Sequence, residues 1–314
     1  MADKKSIDHA NEGDESLAGS KNGKGLSRTK SLPRLSTSDH DMLESVIRKT
    51  VTGMVADGHP EHARSSSTPS AARVQAQADD FVLHPERDPA LMALPGAAKA
   101  LDFRERIDSG LADANPRAIR DVTVALHESG IPIHTLSVMV FSPIAKQLGD
   151  RWCTDDADFI QVAIASTRLS MLIKHLMQAA PTWADTRKER RCVLLARANG
   201  AQHTLGVLIV AACFRDLGWH VDGGSDLEVG DSLLDRLAAS TYDLVGMSVG
   251  SLDDARPCSD AITEIRARHR SPKLWIAVGG PAVVCNRRAF EGIGADIVAS
   301  TAMEAVRMAD RLVH

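Results

Sequence analysis

Along residues 81–180 apolar positions recur at helical spacing, and from residue 191 they gather instead into short continuous runs separated by helical stretches. The first region reads as a bundle. Asn115-Pro116 opens a helix because proline suits the first helical position, and Gly130 stops it; Ile119, Val122, Val124 and Leu126 form its apolar side. Pro132 starts another, with Leu136, Met139, Val140, Ile144 and Leu148. A third runs over about 157–177 with Val162, Ile164, Leu169, Leu172, Ile173 and Leu176, and residues near 97–108 supply a fourth. The short loops between them predict antiparallel neighbours and hence a four-helix bundle.

The second region changes period. The runs at 192–196, 243–249 and 274–280 have the unbroken apolar character of strands buried on both faces, and 219–223 and 297–299 complete the set. Helices are expected over 204–217, 230–239, 254–269, 284–291 and 301–312. Five alternations of strand and helix predict a doubly wound parallel sheet of the flavodoxin-like kind.

Residues 1–36 lack this patterning. They are rich in Ser, Gly, Lys, Asp and Glu, and such a segment cannot bury enough surface to offset its ordering entropy. They read as a disordered extension with a basic stretch at Lys21, Lys24, Arg28, Lys30 and Arg34. Residues 37–57 restore a helical period, with Met42, Val46 and Met54 on one amphipathic face, suited to binding a partner; residues 58–77 read as linker. The expected organisation is a tail over 1–80, a helical cap over 81–183 and an α/β domain over 188–314.

Composition narrows the chemistry. The 314 residues carry a formal net charge of −4, so no whole-chain electrostatic footprint for nucleic acid exists. No signal-peptide core and no apolar run of membrane-spanning length occurs, so a soluble, cytoplasmic protein is expected. The 5 cysteines are scattered without a Cys-x-x-Cys pair, which supports neither a zinc site nor a disulfide framework. A nicotinamide enzyme or a hydrolase is not expected; no Gly-x-Gly-x-x-Gly opens the first helix of the sheet region.

Ligands of such sheets sit outside the carboxyl ends of the strands. Three features fall there. After the first strand comes Gly200-Ala201-Gln202-His203-Thr204-Leu205-Gly206, a histidine at the mouth of a helix between two bare glycines. After the third comes Ser248-Val249-Gly250-Ser251, whose hydroxyls can hydrogen-bond a ligand tail. After the fourth comes Gly279-Gly280-Pro281, a further place for close backbone approach. Together they suggest an extended cofactor with a metal at one end. The histidine loop has no second His or Cys nearby, so the metal must come already held by a macrocycle.

This pattern resembles the cobalamin-binding fold, whose fingerprint is Asp-x-His-x-x-Gly, then Ser-x-Leu, then Gly-Gly. The chain supplies His203, Gly206, Ser248, Gly279 and Gly280 in that order. Ala201 stands where the pattern has Asp, and Gly250 where it has Leu. The segment 149–169 resembles the helical cap of methionine synthase and of light-sensing B12 repressors, with Trp152 as the residue that roofs the corrin. The adenosylcobalamin-holding repressors carry Glu-His about ten residues later; here Val162-Ala163 stands there, leaving room for a smaller upper ligand or for haem.

Over residues of about 100–312 the chain resembles the AerR/PpaA antirepressors, carried by Trp152, Asp155, Phe159, Arg168 and Leu169 in the cap and by 202–206 in the loop. The resemblance implies a B12-binding domain behind a helical cap, related to haem-binding sensor domains. Cobalamin, with a hydroxo or adenosyl upper ligand, is the implied cofactor and haem the alternative. His203 is implied as the cobalt ligand from below; Trp152, Val162, Thr204, Leu205, Gly206, Ser248, Gly250, Gly279 and Gly280 are implied around the cofactor. The implied function is a light- or redox-responsive, non-catalytic antirepressor of photosynthesis genes. Its implied partner is a PpsR/CrtJ-type repressor, with DNA touched only within that complex. A corrinoid carrier subunit of a methyltransferase is the rival on the same fold.

Overall fold

The structure, a computed structural model, describes residues 80–113, 115–153, 159–179, 191–201, 204–269 and 273–313; the side chains of Pro116, Trp152, Cys153 and Phe159 fall outside that description. The N-terminal tail and the helix expected at 37–57 also lie outside the described residues.

After short turns at Pro85–Arg87 and α1 (Pro89–Met92), the helical layer consists of α2 (Ala97–Ala112), α3 (Pro116–Ser129), α4 (Ile133–Leu136), α5 (Ser142–Cys153) and α6 (Phe159–Ala179). A π-helical turn, Ser137–Phe141, joins α4 to α5, so the helix expected from Pro132 runs through with one local change of winding. The side chain of Asn115 caps α3 by accepting the Arg117 N–H at 3.0 Å, and Gly130, with φ of 66°, ends it. Arg168 of α6 caps the other end of its neighbour α2, donating to the carbonyls of Leu111 at 2.8 Å and Asp113 at 2.5 Å. Leu126, Leu136, Met139, Phe141, Ile144, Leu169 and Ile173 fill the bundle. Two residues expected in its core are exposed instead: Val124 on α3 and Ile164 on α6.

The α/β layer contains β1 (Cys192–Arg197), α7 (Leu205–Asp216), β2 (His220–Glu228), α8 (Asp231–Ala239), β3 (Leu244–Ser248), α9 (Ala255–Arg268), β4 (Trp275–Gly279), α10 (Pro281–Cys285), β5 (Ile297–Ala299) and α11 (Ala302–Leu312). The strands are parallel, in the order β2-β1-β3-β4-β5. β2 runs past its expected end at 223 because Gly223 and Gly224, at φ of 68° and 114°, form an irregularity that the strand crosses. A Cβ on Gly223 would lie 2.3 Å from the Leu195 carbonyl oxygen, so only glycine lets β2 pass there.

Alternate residues of β1 face opposite sides. Leu194 and Ala196 join Met247, Leu237, Ile262 and Phe290 in one apolar cluster. Val193 and Leu195 join a second cluster that includes α7 and continues into the helical layer through Leu172, Leu169 and Met139. The α/β and helical layers therefore share a core, with α6 packed on α7. Among the described residues no helix is long and apolar enough to cross a membrane.

Candidate functional site at the carboxyl edge of the sheet

Strand order reverses at β1, which has β2 on one side and β3 on the other. That reversal opens a crevice between the loops that leave the carboxyl ends of β1 and β3. The last residues of the central strands form one row: Arg197 is in register with Ser248, Ser248 with Gly279, and Gly279 with Ala299. Main-chain hydrogen bonds continue past the strands. Ala198 N–H donates to the Ser248 carbonyl at 2.8 Å, and Val249 N–H to the Gly279 carbonyl at 2.9 Å. All three loops singled out in the sequence thus leave one edge side by side.

The loop after β1 begins as a tight turn. Ala201 N–H donates to the Ala198 carbonyl at 3.1 Å, and Gly200 supplies the positive φ of 73° that the turn needs. Gln202 and His203 lie outside the described residues. Thr204 occupies the N-cap of α7, but its hydroxyl makes no cap hydrogen bond, so α7 starts without a side-chain cap. Leu205 packs on the shared core. Among the described residues, a Cβ on Gly200 or Gly206 would meet nothing within 4 Å.

The loop after β3 is self-braced. The Asp254 carboxylate accepts the N–H groups of Gly250 at 3.0 Å and Ser251 at 2.9 Å. Among the described residues, the nearest atom to a Cβ on Gly250 is that same carboxylate, 3.9 Å away. Cys258, one turn into α9, is a protonated thiol, its pKa pushed up to about 12 by burial and by Asp254. It offers no thiolate to a metal.

The paired glycines after β4 are also required by packing within the protein. A Cβ on Gly279 would stand 2.9 Å from the Ala299 carbonyl oxygen, and one on Gly280 would stand 2.5 Å from that of Val249. Gly280 also has φ of 107°. Their bareness lets neighbouring strands and loops of the protein close on each other, which sets the shape of the edge.

On the helical side the expectations separate. Trp152 is the next-to-last residue of α5, with its side chain outside the description. Val162 is 9% exposed and belongs to the bundle core, because it lies on the same face of α6 as Ala165 and Leu169. The opposite face carries a shallow concavity of about 370 Å³ lined by Ile160, Ala163, Ile164, Thr167 and Arg168. Of these, the sequence singles out Ala163, Ile164 and Arg168 for other reasons and passes over Ile160 and Thr167. An apolar period marks Ile164 as a core position but says nothing about whether a partner covers it.

Gly246-Met247-Ser248-Val249-Gly250 spells the Gly-x-Ser-x-Gly of hydrolase elbows, which weakens the sequence argument against a hydrolase. The geometry is not that of an elbow. An elbow serine sits on a sharp strand-to-helix turn. Ser248 is instead a paired strand residue, and a separate turn at Leu252–Asp254 precedes α9.

Among the described residues no group of three or more His, Cys, Asp or Glu could hold a metal ion. The residues present fit a flat macrocycle that brings its own metal. Gly206 and Gly250 leave room at the edge, Ser248 borders the crevice, and α6 presents an uncovered apolar face. The fold and this edge define a B12-domain protein fronted by a helical layer, and residues 191–309 match the B12 binding domain family.

A 20.5 kDa uncharacterised protein of Rhodobacter capsulatus, from the bchF-crtJ intergenic region, is 33% identical over 171 residues, covering 54% of this chain and 86% of that protein. The chain belongs to the cobalamin-binding AerR/PpaA family. The monomethylamine corrinoid protein of Methanosarcina barkeri shares the fold, with a TM-score of 0.52 at 16% identity, covering 68% of this chain and 97% of that one. A cobalamin-binding protein of Desulfitobacterium hafniense DCB-2 aligns at 20% identity over 68% of this chain and 100% of that one, with a TM-score of 0.37.

Proposed function

We propose that the protein is a cytoplasmic, cobalamin-dependent antirepressor that acts by binding and not by catalysis. When bound, cobalamin would supply a cobalt ion that responds to light or redox state. His203 would hold that ion through its imidazole. Gly206 and Gly250 leave the edge open for the cofactor, while Thr204, Leu205 and Ser248 border it. Trp152 and the exposed face of α6, with Ile160 and Ile164, would shield the cofactor from water. Because α6 packs on α7, a change on that face is mechanically coupled to the sheet.

The observation that carries the regulatory reading is the 33% identity to a protein encoded between bchF and crtJ. Family resemblance gives a CrtJ-type repressor as the partner. Haem is the alternative occupant, because Val162-Ala163 stands where the adenosylcobalamin-holding repressors carry Glu-His and leaves room there. The corrinoid-carrier reading draws only on a shared fold.

The test is direct. Purified protein mixed with hydroxocobalamin and with adenosylcobalamin should retain a corrin spectrum after desalting, and His203→Ala should lose or alter it. The loaded protein should then weaken promoter binding by a CrtJ-type repressor in a gel shift. Retention of neither cobalamin nor haem overturns the reading. Turnover of bound methylcobalamin by a methyltransferase, without effect on the repressor, would establish the carrier instead.

A further inference from the structure

The family pattern places a carboxylate at position 201, where it would orient the histidine two residues on; this chain has Ala201. The structure holds that residue by its main chain. Its N–H is bound to the Ala198 carbonyl, and its carbonyl accepts a hydrogen bond from Nη1 of Arg197, the last residue of β1. The same guanidinium donates through Nε to the Ser225 carbonyl at 2.8 Å and through Nη2 pairs with Glu228, the last residue of β2. Three nitrogens of one planar fork thus meet three partners, and the side chain is only 20% exposed. Both Ser225 and Glu228 belong to β2. The loop is therefore braced towards β2, the side of β1 away from the crevice shared with β3.

We infer that Arg197 is the positioning residue of the His203 loop. By fixing the Ala201 carbonyl it anchors the described start of the loop that leads to His203. The link to cobalamin rests on the function proposed above. The bracing itself rests on the geometry alone.

The guanidinium satisfies a partly buried carbonyl and a partly buried carboxylate at once, so removing it frees the loop and leaves Glu228 without its ion pair. Lysine has one compact ammonium and cannot reproduce the fork. Glu228→Gln keeps the shape of its side chain and weakens only the charge that steadies Arg197.

Two measurements on the full chain test this. In cobalamin-free protein, hydrogen exchange of residues 199–206 should speed up in Arg197→Met and, less, in Arg197→Lys and Glu228→Gln. With hydroxocobalamin, Arg197→Met should bind about 10-fold or more weakly, as losses of ligand-orienting partners do. The bound corrin band should shift in the same variant, and Arg197→Lys should fall between it and the unchanged protein. A lowered melting temperature with unchanged affinity and band position would mean that Arg197 only stabilises the fold, and would overturn the inference. Unchanged exchange over 199–206 would overturn it too. If the unaltered protein binds no cobalamin, the proposed function fails, and exchange alone decides whether Arg197 holds the loop.

Discussion

Asp216 and His134 meet where the helical layer joins the α/β layer. One carboxylate oxygen of Asp216, at the end of α7, accepts both the main-chain N–H of His134 at 2.8 Å and its Nδ1–H at 2.7 Å. The two side chains are only 12% and 14% exposed. Pro132, the N-cap of α4, provides no side-chain cap, so the carboxylate from α7 does that work from outside the helix.

Asp216→Ala should therefore cost about 1–3 kcal/mol, the penalty for stranding buried donors. Urea unfolding should show a lower midpoint with an unchanged slope. Asp216→Asn retains one acceptor oxygen and should lose less. A midpoint equal to that of the unaltered protein would show that the two layers do not depend on this contact.

A second pair predicts how stability follows pH. Tyr242 donates to Asp222 at 2.5 Å, and Arg236 pairs with the same carboxylate. The tyrosine hydrogen bond, with Arg236 and the Gly223 N–H, holds Asp222 below its usual 3.8. Burial, with Asp222 itself, raises Tyr242 above its usual 10.0. A lowered carboxylate stabilises the fold above its unfolded pKa, and that contribution fades as pH falls through the folded value. A raised phenol stabilises below its unfolded pKa, and that contribution fades as pH rises through the folded value. Tyr242→Phe should thus cost about 1 kcal/mol between roughly pH 4 and 10, and less beyond either limit. Chemical denaturation across pH checks the shape; a penalty that persists unchanged in strong acid would refute it.

Thiol chemistry gives a third expectation. Cys213 and Cys258 are buried, and burial, aided by Asp216 and Asp254 respectively, pushes both pKa values up to about 12. The thiolate is the reactive form. Iodoacetamide at pH 8 should leave both unmodified in the native protein and label them once it is unfolded, as peptide mass spectrometry would report. Labelling of Cys213 in native protein would mean that the layer containing α7 opens readily.

Much of the fold is legible in the sequence because strands buried on both faces leave continuous apolar runs; β1, β3 and β4 fall on the expected segments. β2 reads short because Gly223-Gly224 looks like an ending, while the strand crosses it by a close approach to Leu195 that only space reveals. Val124 and Ile164 read as core because helical spacing marks a face without saying what covers it. The histidine loop is visible as a motif. Arg197 is not, since its partners at 201, 225 and 228 come together only when β1 and β2 pair.

The glycines of the edge differ in what surrounds them. Gly206 lies in the first turn of α7 with none of the described residues near a prospective Cβ, so Gly206→Ala should stabilise the cofactor-free protein by about 0.5–1 kcal/mol through helix propensity. The same methyl group intrudes on the space assigned to cobalamin and should weaken its binding. Gly280→Ala meets the opposite situation: φ of 107° and a Val249 carbonyl oxygen 2.5 Å from the new Cβ. It should cost at least about 1–3 kcal/mol in backbone strain. Its effect on cobalamin would follow from the disturbed edge and the lost stability. Thermal melts of both variants, with and without hydroxocobalamin, distinguish the two. Gly206→Ala should melt higher when empty and gain less from the ligand than the unaltered protein. A normal gain from the ligand would show that the space above Gly206 is not where the cofactor lies.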